Sequence, residues 1–139
     1  MSTNDEFVEE LAAVSRKWRT LVDARVKDRG MTLARARALI QLSEASPLTQ
    51  RELAETLDIE TPTLVRLLDG LAEQGLVERH PVEGDRRTNH VVLTETARPL
   101  ADELRAVVRS LRDELLADIP REDLATAVRV LRSIGRRIE

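Results

Sequence analysis

Residues Thr49 to Thr94, TQRELAETLDIETPTLVRLLDGLAEQGLVERHPVEGDRRTNHVVLT, decide the reading of this chain. Thr49 and Glu52 stand at the Thr-x-x-Glu spacing of a capping box, in which a hydroxyl and a carboxylate satisfy free amides at a helix start. Leu53, Ala54 and Leu57 give the helix that follows one apolar face. Asp58-Ile59-Glu60-Thr61 breaks that spacing. Pro62 then suits the first turn of a second helix, where its missing N–H is no loss. Leu64, Val65, Leu68, Leu71 and Ala72 recur at helical spacing, and Gly75 is a natural stop. Leu76-Val77 and His90-Val91-Val92-Leu93 are short β-prone runs, and Glu83-Gly84-Asp85 supplies turn chemistry between them. The order helix, tight turn, helix, strand, charged turn, strand predicts a winged helix-turn-helix, a module whose second helix fits the DNA major groove.

The flanks read as helices. Asp5 to Arg29 carries Phe7, Leu11, Val14, Trp18, Leu21 and Arg25 at three-four spacing, with Val8, Val22 and Val26 beside them, and Gly30 ends it. Thr32 caps a helix through Glu44 whose inward residues are Leu33, Ala36, Leu39 and Ile40. Ser46-Pro47 closes it, and Pro47-Leu48 is a candidate short strand for the wing sheet. Thr94 opens a helix to about Ala117, with Leu100, Leu104, Val107, Val108, Leu111, Leu115 and Leu116 on one side and Pro99 in its first turns. Ile119-Pro120 breaks the chain. A last helix follows, with Glu122 and Asp123 in its first turn and Leu124, Val128, Leu131, Ile134 and Ile138 along one stripe. These terminal helices are too long and too apolar for one small domain to bury. At roughly 25 cal/mol per Å² of apolar area, a second copy of the chain is the economical cover. The expected fold is mainly α with a small β-wing: a single domain over 1–139, with dimerisation helices at 1–30 and 95–139 and the winged helix-turn-helix at 31–94. The expected dimer interface is Phe7, Leu11, Leu124, Val128, Leu131, Ile134 and Ile138.

Bulk properties narrow the function. With 139 residues, 42% apolar and 34% charged, the chain has the composition of one globular domain. No apolar run approaches the roughly 20 residues of a membrane span, and no leader with a cleavage site implies secretion. A cytoplasmic protein without membrane contact is expected. Cysteine is absent, which removes disulfides, thiol chemistry and Cys-based zinc sites. The net charge is −3, and residues 31–93 hold ten acids against seven Lys/Arg. A non-specific polycation is therefore excluded, and any DNA affinity must come from a few placed arginines and backbone amides. No Ser/His/Asp or Cys/His set, Gly-rich phosphate loop or evident carboxylate pair is present, so no enzyme and no cofactor are expected. His80 and His90 flank the wing without HxxxH or HExxH spacing, so no metal site is expected.

The residues Lys17-Trp18-Arg19-Thr20-Leu21-Val22-Asp23-Ala24-Arg25, Ile59-Glu60-Thr61-Pro62-Thr63-Leu64-Val65-Arg66, Gly75-Leu76-Val77-Glu78-Arg79, Asp85-Arg86-Arg87 and Val92-Leu93-Thr94 occur in one order and spacing. Together they resemble the MarR family of bacterial transcriptional regulators over essentially the whole chain, and most closely its SlyA-like branch. The resemblance implies a homodimer that binds a short inverted repeat in operator DNA. Many members of that family release DNA on binding small phenolic or aromatic carboxylates, as a ligand-controlled repressor would. SlyA-like members often activate genes by displacing nucleoid silencing proteins.

Candidate site residues follow from position. Thr61, Pro62, Thr63 and Arg66 lie in the first turns of the second helix, where side chains reach base edges. Arg66 is a candidate for bidentate pairing with guanine, and Thr63 for a phosphate or a thymine methyl. Arg51 begins the first helix beside amides suited to phosphate, or is a plain surface charge. Arg86 is a candidate phosphate contact. The resemblance implies that Arg87 enters the minor groove, where a narrow A·T tract concentrates negative potential. Asp85 is expected to orient the wing by pairing with an arginine. Two roles are open for Trp18, the only tryptophan: a core or interface anchor, or one wall of a ligand pocket, with Arg16, Arg19 and Thr32 supplying polar contacts to a carboxylate. For both arginines, a surface charge or a dimer salt bridge is the other reading.

Three functions fit this sequence: a dimeric sequence-specific regulator on double-stranded DNA, a winged-helix protein-interaction module, and a ligand-sensing dimer that no longer binds DNA. The wing discriminates between the first two, because a docking module needs no arginine at position 87.

Overall fold

Ser2 starts the first helix, α1 (Thr3–Lys27), earlier than the apolar spacing suggests. Its hydroxyl accepts from the Asp5 amide and the Asp5 carboxylate accepts from the Ser2 amide, which closes a capping box. The helix stops at Lys27 rather than Arg29, and Gly30 takes φ +75° in the turn that follows. The computed structural model describes all 139 residues.

Thr32 caps α2 (Leu33–Glu44) through its hydroxyl, as its sequence position predicts. After a two-residue strand β1 (Leu48–Thr49), the Thr49–Glu52 capping box forms in both directions and opens α3 (Gln50–Leu57). Asp58 ends α3 in the left-handed region at φ 54°, an uncommon conformation that Asp tolerates better than most residues. The chain then enters α4 (Thr61–Glu73), with Pro62 in its first turn and no side-chain cap from Glu60. Gly75, at φ +73°, turns the chain into β2 (Val77–Val82). This strand pairs with β3 (Asp85–Leu93), and β1 pairs with the other edge of β3, giving an antiparallel sheet ordered β1-β3-β2. The β1 pairing, Leu48 opposite Val91 and Thr49 opposite His90, places the short strand one residue later than the expected Pro47-Leu48.

Both wing strands are longer than their β-prone runs, because pairing continues through polar residues that hydrophobicity alone does not mark. Helix α5 (Ala97–Leu116) begins three residues after Thr94, whose hydroxyl accepts from the Ala97 amide and donates to the Gly75 carbonyl. The last helix, α6 (Arg121–Ile138), carries Glu122 and Asp123 in its first turn.

The chain divides into two compact units, Met1–Val108 and Arg109–Glu139. The core of the first is built from Val26, Leu39, Leu42, Leu53, Leu64, Leu68, Leu71, Val91 and Leu104, all fully buried. In the second unit α6 buries no residue, and Val128 and Leu131 stand more than 40% exposed. On α1, Phe7 and Leu11 are similarly open at 39% and 44%. The core of the first unit is thus shared by the winged module with Val26 of α1 and Leu104 of α5, while Phe7, Leu11, Val128, Leu131 and Ile138, expected at a dimer interface, are exposed in a single chain.

The Thr49 cap lies at the base of the module. Its Glu52 partner is held below the ordinary carboxyl range by the Thr49 amide first and the Thr49 hydroxyl second. A depressed folded value means that this contribution is present above the usual Glu pKa and fades as pH falls through the folded one. Thr49→Ala is expected to destabilise the fold by about 1 kcal/mol, lowering the melting temperature by roughly 3 °C. Thermal melts at neutral pH check this, and the difference between wild type and variant should shrink in acid.

Candidate nucleic-acid interface

Helix α4 is amphipathic in a way that leaves one face no choice. Leu64, Leu68 and Leu71 are fully buried, which turns Thr61, Pro62, Thr63, Arg66 and Asp69 outward. Thr63 and Arg66 are one turn apart on that exposed face. The N-terminus of α4 has no side-chain cap, so its first-turn amides remain available to an anion. Gly70 leaves room for the Arg35 side chain of α2: a Cβ there would lie 2.6 Å from the Arg35 guanidinium, which donates to Gln74 at 3.2 Å.

The wing differs from its expected form in two respects. Of the expected Glu83-Gly84-Asp85 turn only Glu83-Gly84 turns, with Gly84 at φ +82°, and Asp85, Arg86 and Arg87 belong to β3. Asp85 opens β3 opposite Val82, whereas Pro81 lies opposite Asn89. Arg86, Arg87 and Thr88 therefore have no counterpart on β2 and bulge from the ladder. Pro81, which has no N–H to give, marks the irregularity on an edge strand. Asp85 does not pair with an arginine side chain either. Its carboxylate accepts from the Arg87 amide at 2.9 Å and the Thr88 hydroxyl at 2.7 Å. These bonds, Thr88 first, hold its carboxyl below the usual range. Thr88 was not singled out by sequence, although Asp-x-x-Thr is a recognisable turn-bonding spacing.

Charge is disposed accordingly. Arg66, Arg86 and Arg87 enter none of the seven ion pairs in the chain. Arg51, 88% exposed, pairs with Glu55 at 3.3 Å. His80 lies opposite His90 across the strands and bonds Glu78 at 3.1 Å, and no cluster of three or more His, Cys, Asp or Glu is placed to hold a metal. Arg79, an inward residue of β2, donates to the Val65 carbonyl at 3.0 Å and pairs with Asp69 at 2.8 Å.

A cavity of about 730 Å³ lies in the first unit. Trp18 and Arg19 line it, with Arg37 and Gln41 of α2 and the Leu57–Ile59 turn. Arg16 and Thr32 do not: Thr32 uses its hydroxyl to cap α2, and Arg16 lies on the exposed side of α1. Arg37 takes the polar role in their place, donating to the Leu57 carbonyl at 3.2 Å. Its signal is the spacing of Arg37 and Gln41, one turn apart on the same face of α2.

An amphipathic helix with an open N-terminus and a free arginine, beside a β-hairpin with two unpaired arginines, defines a winged-helix DNA-binding protein. A family model described as the MarR family matches residues 29–88. The crystal structure of a transcriptional regulator, PA3341, is 41% identical to this chain with a TM-score of 0.87, the match covering 95% of this chain and 97% of that one. A Staphylococcus aureus MepR–DNA complex has a TM-score of 0.87 at 18% identity, over 96% and 98%. Staphylococcus aureus MarR in complex with salicylate and kanamycin has 0.86 at 20%, over 97% and 91%. The chain belongs to the MarR family of transcriptional regulators, which are DNA-binding proteins and not enzymes. No helix is long and apolar enough to cross a membrane.

Asp85 gives the wing its testable element. Asp85→Ala removes the acceptor shared by Arg87 and Thr88. Amide exchange at Arg87 is expected to quicken by about tenfold, in line with losing a charge-assisted bond, and DNA affinity is expected to fall with it. Exchange measured by NMR checks the first, and titration with a DNA duplex the second. Because the folded carboxyl value is depressed, the turn should stay ordered at neutral pH and loosen only in strong acid.

Proposed function

We propose that the protein is a homodimeric, sequence-specific regulator of the SlyA-like branch that binds an inverted repeat in double-stranded DNA and acts as a repressor in the cytoplasm. The observation that carries this is the disposition of arginines: Arg66 stands outward on α4, and Arg86 and Arg87 bulge unpaired from the wing. In this reading Arg66 and Thr63 read base edges in the major groove, with Thr61 and Pro62 beside them. Arg87 enters the minor groove, Arg86 and Arg51 touch phosphate, and Asp85 holds the wing turn. A docking module would have no use for two unpaired arginines on a hairpin, so the protein-interaction reading is the weaker one.

The homodimer rests on α6 and α1. Leu124, Val128, Leu131, Ile134 and Ile138 form a helical stripe on a helix that buries nothing in one chain, and Phe7 and Leu11 are open on α1. Each stripe is covered, in this reading, by a second copy. Two-fold symmetry then delivers two recognition helices to half-sites about one helical turn, roughly 10 bp, apart.

The cavity beside Trp18 supports an effector of the phenolic or aromatic carboxylate class. Arg19 and Arg37 supply the charge and Trp18 the flat apolar wall. One related fold carries salicylate. The cavity wall at Leu57–Ile59 is the turn that leads into α4, so a bound acid bears on the recognition helix directly. To act, it must favour the conformation that does not bind DNA, since equal affinity for both shifts nothing.

Selection from a randomised duplex pool is expected to return an inverted repeat. Arg66→Ala should lose preference at one symmetric base pair, and a selection identical to wild type would remove Arg66 from base reading. Arg87→Ala should weaken binding to all duplexes and make the slope of log affinity against log salt shallower by up to about two for a dimer. An unchanged slope and affinity would remove the wing.

Salicylate titrated into the millimolar range is expected to change Trp18 fluorescence and weaken duplex binding together, and Arg37→Ala should blunt both. A fluorescence change with intact DNA binding would contradict the regulatory role, and no response in either would contradict the site.

A further inference from the structure

We propose that Arg79 is a positioning residue that fixes where the wing arginines stand relative to Arg66, so that the two sets of DNA contacts act as one unit. The proposal rests on the reading of α4 and the wing as the two DNA-contacting elements. It concerns what joins them.

Arg79 shares the inward side of β2 with Val77, and its neighbour across the sheet is the fully buried Val91. An apolar side chain would be the ordinary occupant of such a position. The Arg79 side chain is only 25% exposed, and its Nε is buried without a partner. Leaving a buried donor unsatisfied is unfavourable, and an apolar replacement of a partly buried ion pair is often neutral or stabilising. Packing alone therefore does not account for an arginine.

Direction does. One terminal nitrogen of Arg79 donates to the Val65 carbonyl at 3.0 Å and pairs with Asp69 Oδ1 at 2.8 Å. These two acceptors are one helical turn apart on α4, and Val65 immediately precedes Arg66. The guanidinium thus fixes β2 along the axis of α4 and about it, which a leucine could not do.

Arg79 is also the last brace before the wing leaves the body. Beyond it His80 and Pro81 are exposed, and the ladder irregularity at Pro81/Val82 leads to the bulged Arg86 and Arg87. A small rotation of β2 at Arg79 is carried to the wing tip. Helix α4 itself has other anchors, namely Leu64, Leu68 and Leu71 and the Arg35–Gln74 bond across Gly70. Loss of Arg79 should leave α4 in place and free the wing alone.

The test is a double-mutant cycle between Arg79→Met and Arg87→Ala, read as affinity for a duplex selected by the wild-type protein, with melting temperatures alongside. The two residues share no partner, so independent effects would multiply. The clamp predicts otherwise. Arg87→Ala should weaken binding about tenfold in the wild-type background but no more than about threefold once Arg79 is Met, at unchanged melting temperature. Equal penalties in both backgrounds would overturn the proposal. Should Arg79→Met lower the melting temperature enough to obscure the reading, Asp69→Asn decides the matter. Asp69 is 59% exposed on its side chain and removes only the charged half of the clamp. A reduced Arg87→Ala penalty in that background supports the clamp, and an undiminished one overturns it. A wild-type protein that enriches no duplex would remove the underlying DNA reading, a failure distinguishable from additive penalties on an enriched one.

Discussion

The rotation of α4 about its own axis is the constraint on which the rest depends. Leu64, Leu68 and Leu71 are fully buried, on one side of thirteen residues. Truncating one such leucine typically destabilises by about 2–5 kcal/mol, so rotating the helix to present another face would forfeit more than the fold can lose. With those three fixed inward, Thr63 and Arg66 must point out. The interface is a consequence of the core, and no separate device is needed to aim it.

Electrostatics completes the picture. The winged module has more acids than bases, which would weaken a binder that relied on general attraction. Six of its ten acids are engaged within the protein. Glu52 closes a helix cap and Asp85 the wing turn, while Glu44, Glu55 and Asp69 sit in ion pairs with Arg105, Arg51 and Arg79, and Glu78 hydrogen-bonds His80. Arg66, Arg86 and Arg87 are in no such pair. Three unpaired arginines thus stand where α4 and the wing project, beside the exposed carboxylates of Glu60 and Glu83. Weak non-specific attraction together with placed contacts favours discrimination among sequences over indiscriminate affinity.

Local chemistry was legible in the sequence because it is local. The Thr49–Glu52 box, the Pro62 start, the Gly75 turn and the Thr32 cap each involve residues within a few positions of one another, and all stand where the spacing places them. Contacts made across the fold were not legible. Nothing near Arg79 in the chain announces Val65 and Asp69, which α4 and β2 bring to it. The bulge that lifts Arg86 and Arg87 depends on the register between β2 and β3, and register is a property of two strands. Arg37 reaches the cavity in place of Arg16 and Thr32 for the same reason: which helical face looks inward is settled by packing.

The central claim is that α4 and the wing engage DNA together, twice, about a two-fold axis. Hydroxyl-radical footprinting of the wild-type protein on a duplex that it selects tests it most directly. The account predicts four protected regions in symmetric pairs: two central segments about one helical turn apart, where α4 fills the major groove, and two flanking minor-groove segments under the wings. A single unsymmetrical block, or central protection with unprotected flanking minor grooves, would contradict it.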